Sequence, residues 1–118
     1  MSSKRASTMQ INSKLDLTDR MKATLACIAS DFADRLGEIQ VYGSRARGNA
    51  RPSSDLDLVV RPPHPQRALY DLMDALEESD LPIFVDVIGW EDISSEVFRD
   101  DIASHALPLL VRSYADVD

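Results

Sequence analysis

The stretch Val41-Tyr42-Gly43-Ser44-Arg45-Ala46-Arg47-Gly48, followed after a short loop by Ser54-Asp55-Leu56-Asp57-Leu58, decides how this chain is read. Ile39 to Tyr42 is a short β-prone run stopped by Gly43, which predicts a strand entering a turn, with a brief helix from Arg45 to Gly48. The turn formers from Gly48 to Ser54 predict a loop, and Asp55 to Val60 then alternates acids with aliphatics as a second strand. Successive strand side chains point to opposite faces, so Asp55 and Asp57 project together while Leu56 and Leu58 enter the core. A third acid, Asp86, sits within the apolar run Ile83-Phe84-Val85-Asp86-Val87-Ile88, which reads as a buried strand closed by Gly89. An isolated charge in such a strand needs a reason.

Metal chemistry supplies one. Two carboxylates on one face suit a hard cation, and Mg²⁺ commonly binds through one or two carboxylates together with substrate phosphates. Asp86 on a neighbouring strand would complete a three-acid cluster with Asp55 and Asp57, able to hold two ions roughly 3.5–4 Å apart. The turn is the complementary half. Gly43 allows close backbone approach, the Ser44 hydroxyl and nearby amides can donate to phosphate oxygens, and Arg45 and Arg47 add positive charge. A triphosphate would thus be held at both ends, and the protein would act mainly by positioning and charge neutralisation.

Outward from this motif, Thr18 is expected as an N-cap with Asp19 at the helix start, and Met21, Leu25, Ile28, Phe32 and Leu36 recur at helical spacing before Gly37. Pro62, Pro63 and Pro65 end the second strand. Leu69, Leu72, Met73 and Leu76 form the apolar stripe of a further helix, with Asp71, Asp74, Glu77 and Glu78 toward water. Ile93, Val97 and Ile102 predict a last helix, and Leu109-Leu110-Val111 a short extra strand. The expected fold is α/β with a small mixed sheet flanked by helices, in the order αβ(α)βαβα. A mobile tail is expected over residues 1–13 and one domain over 14–118.

Composition narrows the function. The 118 residues carry a net charge of −7, which argues against general nucleic-acid binding, while Arg45, Arg47, Arg51 and Arg61 crowd around the motif. A small positive site in an acidic protein suits a polyphosphate better than a duplex. No apolar run is long enough to span a membrane and no hydrophobic stretch follows Lys4-Arg5, so a cytoplasmic protein is expected. The lone Cys27 reads as a small buried hydrophobe. Competing features are read structurally: Asp116/Asp118 as an exposed terminus, Asp31/Asp34 and Asp71/Asp74 as solvated helix faces, His64 and His105 as surface or partly buried residues, Trp90 and Tyr42 as packing.

The turn and acids together resemble the signature of the minimal nucleotidyltransferases, the small branch of the DNA polymerase beta-like superfamily. The resemblance covers most of the chain and implies the nucleotidyltransferase fold. It implies that Asp55 and Asp57 hold both magnesium ions, that Asp86 holds the catalytic one beside the acceptor hydroxyl, and that ATP is the nucleotide. Small stand-alone members are commonly antitoxins of toxin-antitoxin pairs that adenylylate a tyrosine of a partner HEPN-domain ribonuclease. AMP transfer to such a toxin is therefore the expected activity, with homo- or hetero-oligomers expected as well. Two alternatives belong to other classes: a binding module that neutralises its partner by steric cover alone, and a nucleotidyltransferase for a small molecule of the antibiotic type.

Overall fold

The computed structural model describes residues 7–114. In chain order its elements are β1 (Ser7–Ile11), α1 (Asp19–Phe32), β2 (Ile39–Tyr42), α2 (Ser44–Arg47), β3 (Leu56–Val60), α3 (Gln66–Glu77), β4 (Val85–Gly89), a 3-10 turn (Trp90–Asp92), α4 (Glu96–His105), β5 (Leu107–Pro108) and β6 (Leu110–Tyr114). Four strands form one sheet in the order β4-β3-β2-β5, with β2 antiparallel to β3 and β5, and β3 parallel to β4. This is the expected mixed sheet. A parallel pair needs a crossover between its strands, and α3 provides it.

Side-chain alternation divides the sheet into two faces. On one, Val41, Leu56, Leu58 and Val60 are almost fully buried and meet Leu25 and Ala29 of α1 and Leu69, Leu72 and Leu76 of α3 in the main core. α1 starts where Thr18 Oγ1 accepts the Met21 N–H at 3.2 Å, with Asp19 in the first turn complementing the helix dipole. The second face is only half covered: Val59 packs against Ile93 and Ile102, the latter from α4, and Tyr42, Ile88 and Trp90 flank this smaller cluster. The rest of that face is left to polar groups.

Several expectations are corrected. The tail expected to reach Ser13 is too long, because Ser7–Ile11 pairs antiparallel with β6 and both Ile11 and Asn12 are buried. Asn12 Nδ2 also donates to the Pro108 carbonyl at 3.1 Å. The partner strand lies about a hundred residues away in sequence, so no local signal announces the pairing; residues 1–6 of that tail lie outside the described residues. β4 begins at Val85 and is an edge strand, so Asp86 is exposed rather than buried. Val97, expected on the apolar stripe of the last helix, is 80% exposed, and Ile102 is the buried residue of α4. Cys27 is exposed on the outer side of α1. Asp71 is more than a solvated acid: Arg35 donates to it at 2.6 Å and, with Arg67, holds its carboxyl below the usual carboxylate range. Asp116 and Asp118 lie outside the described residues.

Candidate active site

The register of the sheet assembles the site. Tyr42 on β2 is opposite Asp57 on β3, and Asp57 is opposite Asp86 on β4. Paired residues share a face, so the three side chains form a row across adjacent strands on this second face of the sheet. Asp55 lies one residue before β3, exposed, two positions from Asp57. Its charge is felt there: burial raises the proton affinity of the Asp57 carboxyl, and the carboxylates of Asp86 and then Asp55 raise it further. Burial likewise pushes the Tyr42 hydroxyl up to about 12, with Asp57 and Asp86 adding to the shift. Tyr42 and Asp57 are half-buried and Asp86 is exposed, so the row concentrates negative charge, and Tyr42 stays a neutral hydroxyl within it.

The turn abuts these acids. Gly43 has φ 77° and ψ −154°, a conformation open essentially to glycine alone. A Cβ at that position would lie 2.7 Å from Asp57 Oδ2, so the missing side chain is what lets backbone and carboxylate meet. α2 starts immediately afterwards. The Ala46 and Arg47 N–H groups both bond the Gly43 carbonyl, at 3.1 and 3.0 Å, which leaves the first-turn amides of Ser44 and Arg45 as donors without an intrahelical partner. With the Ser44 hydroxyl they are the donors at this turn.

The two arginines are placed otherwise than expected. Arg45 is 3% exposed and its guanidinium donates to backbone carbonyls of Asp16 (2.9 Å), Arg51 and Pro52 (3.2 Å each) and Ser54 (2.8 Å). It is turned into the protein and staples the loop that carries Asp55, so it is withdrawn as a phosphate ligand. Five fixed donors in a planar fork suit four convergent carbonyls, which is the physical reason an arginine is buried there. Arg47 stays at the surface but is engaged, with Nη2 at 3.0 Å from Asp101 Oδ1 of α4.

α4 contributes a wall that the sequence reading missed. His105 Nε2 accepts the Gly43 N–H at 2.8 Å, and its Nδ1 lies 2.7 Å from the Asp101 carbonyl. Phe98 packs edge-on against Tyr42, with ring centroids 5.8 Å apart. The spacing of Phe98, Asp101 and His105 at three and four residues puts them on one helix face, yet nothing in a single sequence says which turn that face meets.

The donor set fits a hard divalent cation. Asp55, Asp57 and Asp86 offer oxygen ligands only, and the raised proton affinity of Asp57, due first to burial and then to Asp86 and Asp55, is what a cation would relieve. Among the described residues no three His, Cys, Asp or Glu side chains already close into a metal cluster.

A glycine turn set against a row of acids on the second face of a mixed sheet is the arrangement of a nucleotidyl-transferring domain. Residues 24–109 match the model of the Nucleotidyltransferase domain family, and the chain belongs to that family. It is a nucleotidyltransferase, and its substrate is a nucleotide. Over 95 residues it is 34% identical to the probable protein adenylyltransferase MntA of Haemophilus influenzae, spanning 79% of this chain and 78% of that protein. A solved chain described as a candidate minimal nucleotidyltransferase is 28% identical, with a TM-score of 0.55 over 83% of this chain and all of the other. A toxin-antitoxin structure solved with AMP-PNP has the same fold, at 22% identity and a TM-score of 0.58, covering 74% of this chain and 70% of that one.

Proposed function

We propose that this chain transfers AMP from Mg-ATP to a hydroxyl, a tyrosine by expectation, of a partner HEPN ribonuclease toxin, and so acts as an antitoxin. The observation that carries the reading is the contact of the Gly43 turn with Asp57 in the Tyr42-Asp57-Asp86 row, because it brings a phosphate binder against a metal-binding face. The similarity to a protein adenylyltransferase supports a protein acceptor. The likeness to a toxin-antitoxin structure supports a toxin as that acceptor.

Asp55, Asp57 and Asp86 would hold the magnesium ions, two by the family resemblance, which neutralise phosphate charge when bound. The Ser44 hydroxyl and the amides of Ser44 and Arg45 bind the β- and γ-phosphate oxygens and fix the direction in which pyrophosphate leaves. The acceptor hydroxyl oxygen forms a bond to the α-phosphorus while the bond from that phosphorus to the bridging oxygen breaks. Asp86, exposed at the sheet edge, orients the acceptor and takes its proton. Tyr42, a neutral hydroxyl, can donate a hydrogen bond within the acid row without adding to its charge.

The test is co-expression of the chain, as wild type and as Asp57→Asn, with the product of the adjacent gene, followed by the intact mass of that neighbour. A gain of one or more AMP units with the wild type alone is expected. An unchanged mass in a stable complex, with the neighbour still inhibited, would favour steric neutralisation instead.

A further inference from the structure

Gly43 lies in a region of backbone conformation that restrains it little, since a residue without a side chain can rotate its flanking peptide planes at small cost. A phosphate turn built on such a residue needs an external restraint to keep its amides pointing one way. His105 is in place to supply it. Its Nε2 accepts the Gly43 N–H at 2.8 Å across 62 residues of sequence. For Nε2 to accept, the proton of the neutral imidazole must sit on Nδ1, which then donates to the Asp101 carbonyl at 2.7 Å. The approach of Arg47 Nη2 to the same Nδ1, at 3.2 Å, is then a contact between two donors. Arg47 finds its acceptor instead at Asp101 Oδ1, 3.0 Å away. The last turn of α4 therefore grips α2 at both of its ends, Gly43 before it and Arg47 at its close.

We infer that His105 is a positioning residue for the triphosphate: by holding the Gly43 amide it sets the plane of the Tyr42–Gly43 peptide and presents the Ser44 and Arg45 amides and the Ser44 hydroxyl to the phosphates. The Gly43 amide itself is spent on the imidazole and makes no phosphate contact. Asp101 acts one step further out, orienting the imidazole through its carbonyl and Arg47 through its carboxylate. The inference rests on the reading of Gly43 and Ser44 as the phosphate turn. It adds that nucleotide affinity depends on a helix far along the chain.

The experiment compares wild type, His105→Ala and His105→Gln for binding of Mg-ATP and of AMP by calorimetry, and for folding by thermal melt. Glutamine keeps a side-chain oxygen able to accept from the Gly43 N–H. His105→Ala is expected to lose roughly threefold to tenfold in affinity for the triphosphate, the scale of one hydrogen bond, with AMP affinity unchanged and the glutamine variant recovering most of the loss. Equal loss for ATP and AMP, or no loss for ATP, would overturn the inference. Wild type that binds neither nucleotide would overturn the phosphate-turn reading beneath it. If the alanine variant does not fold, scalar coupling across the hydrogen bond in the ¹⁵N-labelled wild type decides: coupling between the Gly43 nitrogen and His105 Nε2 is expected, and ATP-insensitive Gly43 signals without it would refute the positioning role.

Discussion

Arg45 and Asp57 mark the two kinds of charge this site contains, one spent on structure and one, under the proposed function, kept for chemistry. Arg45 is buried and satisfies four carbonyls of the segment leading to the acids. Arg45→Ala strands those carbonyls, at about 1–3 kcal/mol for each one left without water. Arg45→Lys offers three donors on a flexible stem in place of a planar fork and should recover only part of the loss. Denaturant titration is expected to show both variants destabilised, alanine the more; an unchanged midpoint would contradict the structural role. Asp57 behaves oppositely. Its carboxyl has a higher proton affinity folded than unfolded, so over the window from its ordinary value of 3.8 up to the raised folded value the native state holds more protons, and stability falls as pH rises. Above that window the cost is fully present. Asp57→Asn is therefore expected to raise the melting temperature of the metal-free protein at pH 7 and to leave it unchanged at pH 3. Added Mg²⁺ should stabilise the wild type more than the variant, and equal Mg²⁺ shifts in both melts would remove Asp57 from the metal site.

At the scale of elements, under the proposed function, the turn between β2 and α2 decides whether the acids and phosphates can meet. Gly43→Ala would place a methyl 2.7 Å from Asp57 Oδ2 and force a side chain into a glycine-only conformation. Strain of that kind costs about 1–3 kcal/mol, and the carboxylate must also move. Nucleotidyl transfer is expected to fall by at least about a hundredfold while the fold persists, measured as single-turnover rate beside circular dichroism. Transfer within twofold of wild type would show that the close approach is dispensable. The positions of β2, α2 and β3 were legible in the sequence because strand alternation, a glycine stop and a proline-rich exit all act within a few residues. Thr18 capping α1 was legible for the same reason. β1 was not, since Ser7–Ile11 is held by β6 near the other end of the chain. Asp86 was found by its isolation in an apolar run, though that run proved to be an edge with the acid exposed. His105 and the inward turn of Arg45 were hidden because each is settled by tertiary contact alone.

The whole molecule leaves one side of its site open. β4 is the edge of the sheet, and Phe84, two residues before Asp86, is 69% exposed at its start. A groove of about 380 Å³ lined by Met73, Leu76, Leu81, Phe84 and Asp86 runs along this edge. Among the described residues no helix is long and apolar enough to cross a membrane. Under the proposed function a protein acceptor would account for the apolar surface of this groove, because its hydroxyl would approach Asp86 and the flanking segment would then lie over Phe84. Phe84→Ala is therefore expected to lower kcat/KM for the partner roughly tenfold or more, the scale of a central aromatic contact, while the affinity for Mg-ATP stays at the wild-type value. Parallel measurement of partner modification and nucleotide binding separates the cases. Loss of both would make Phe84 part of the fold or the nucleotide site. Loss of neither would place the acceptor elsewhere, with Val97 of α4, 80% exposed, as the other large exposed aliphatic to substitute.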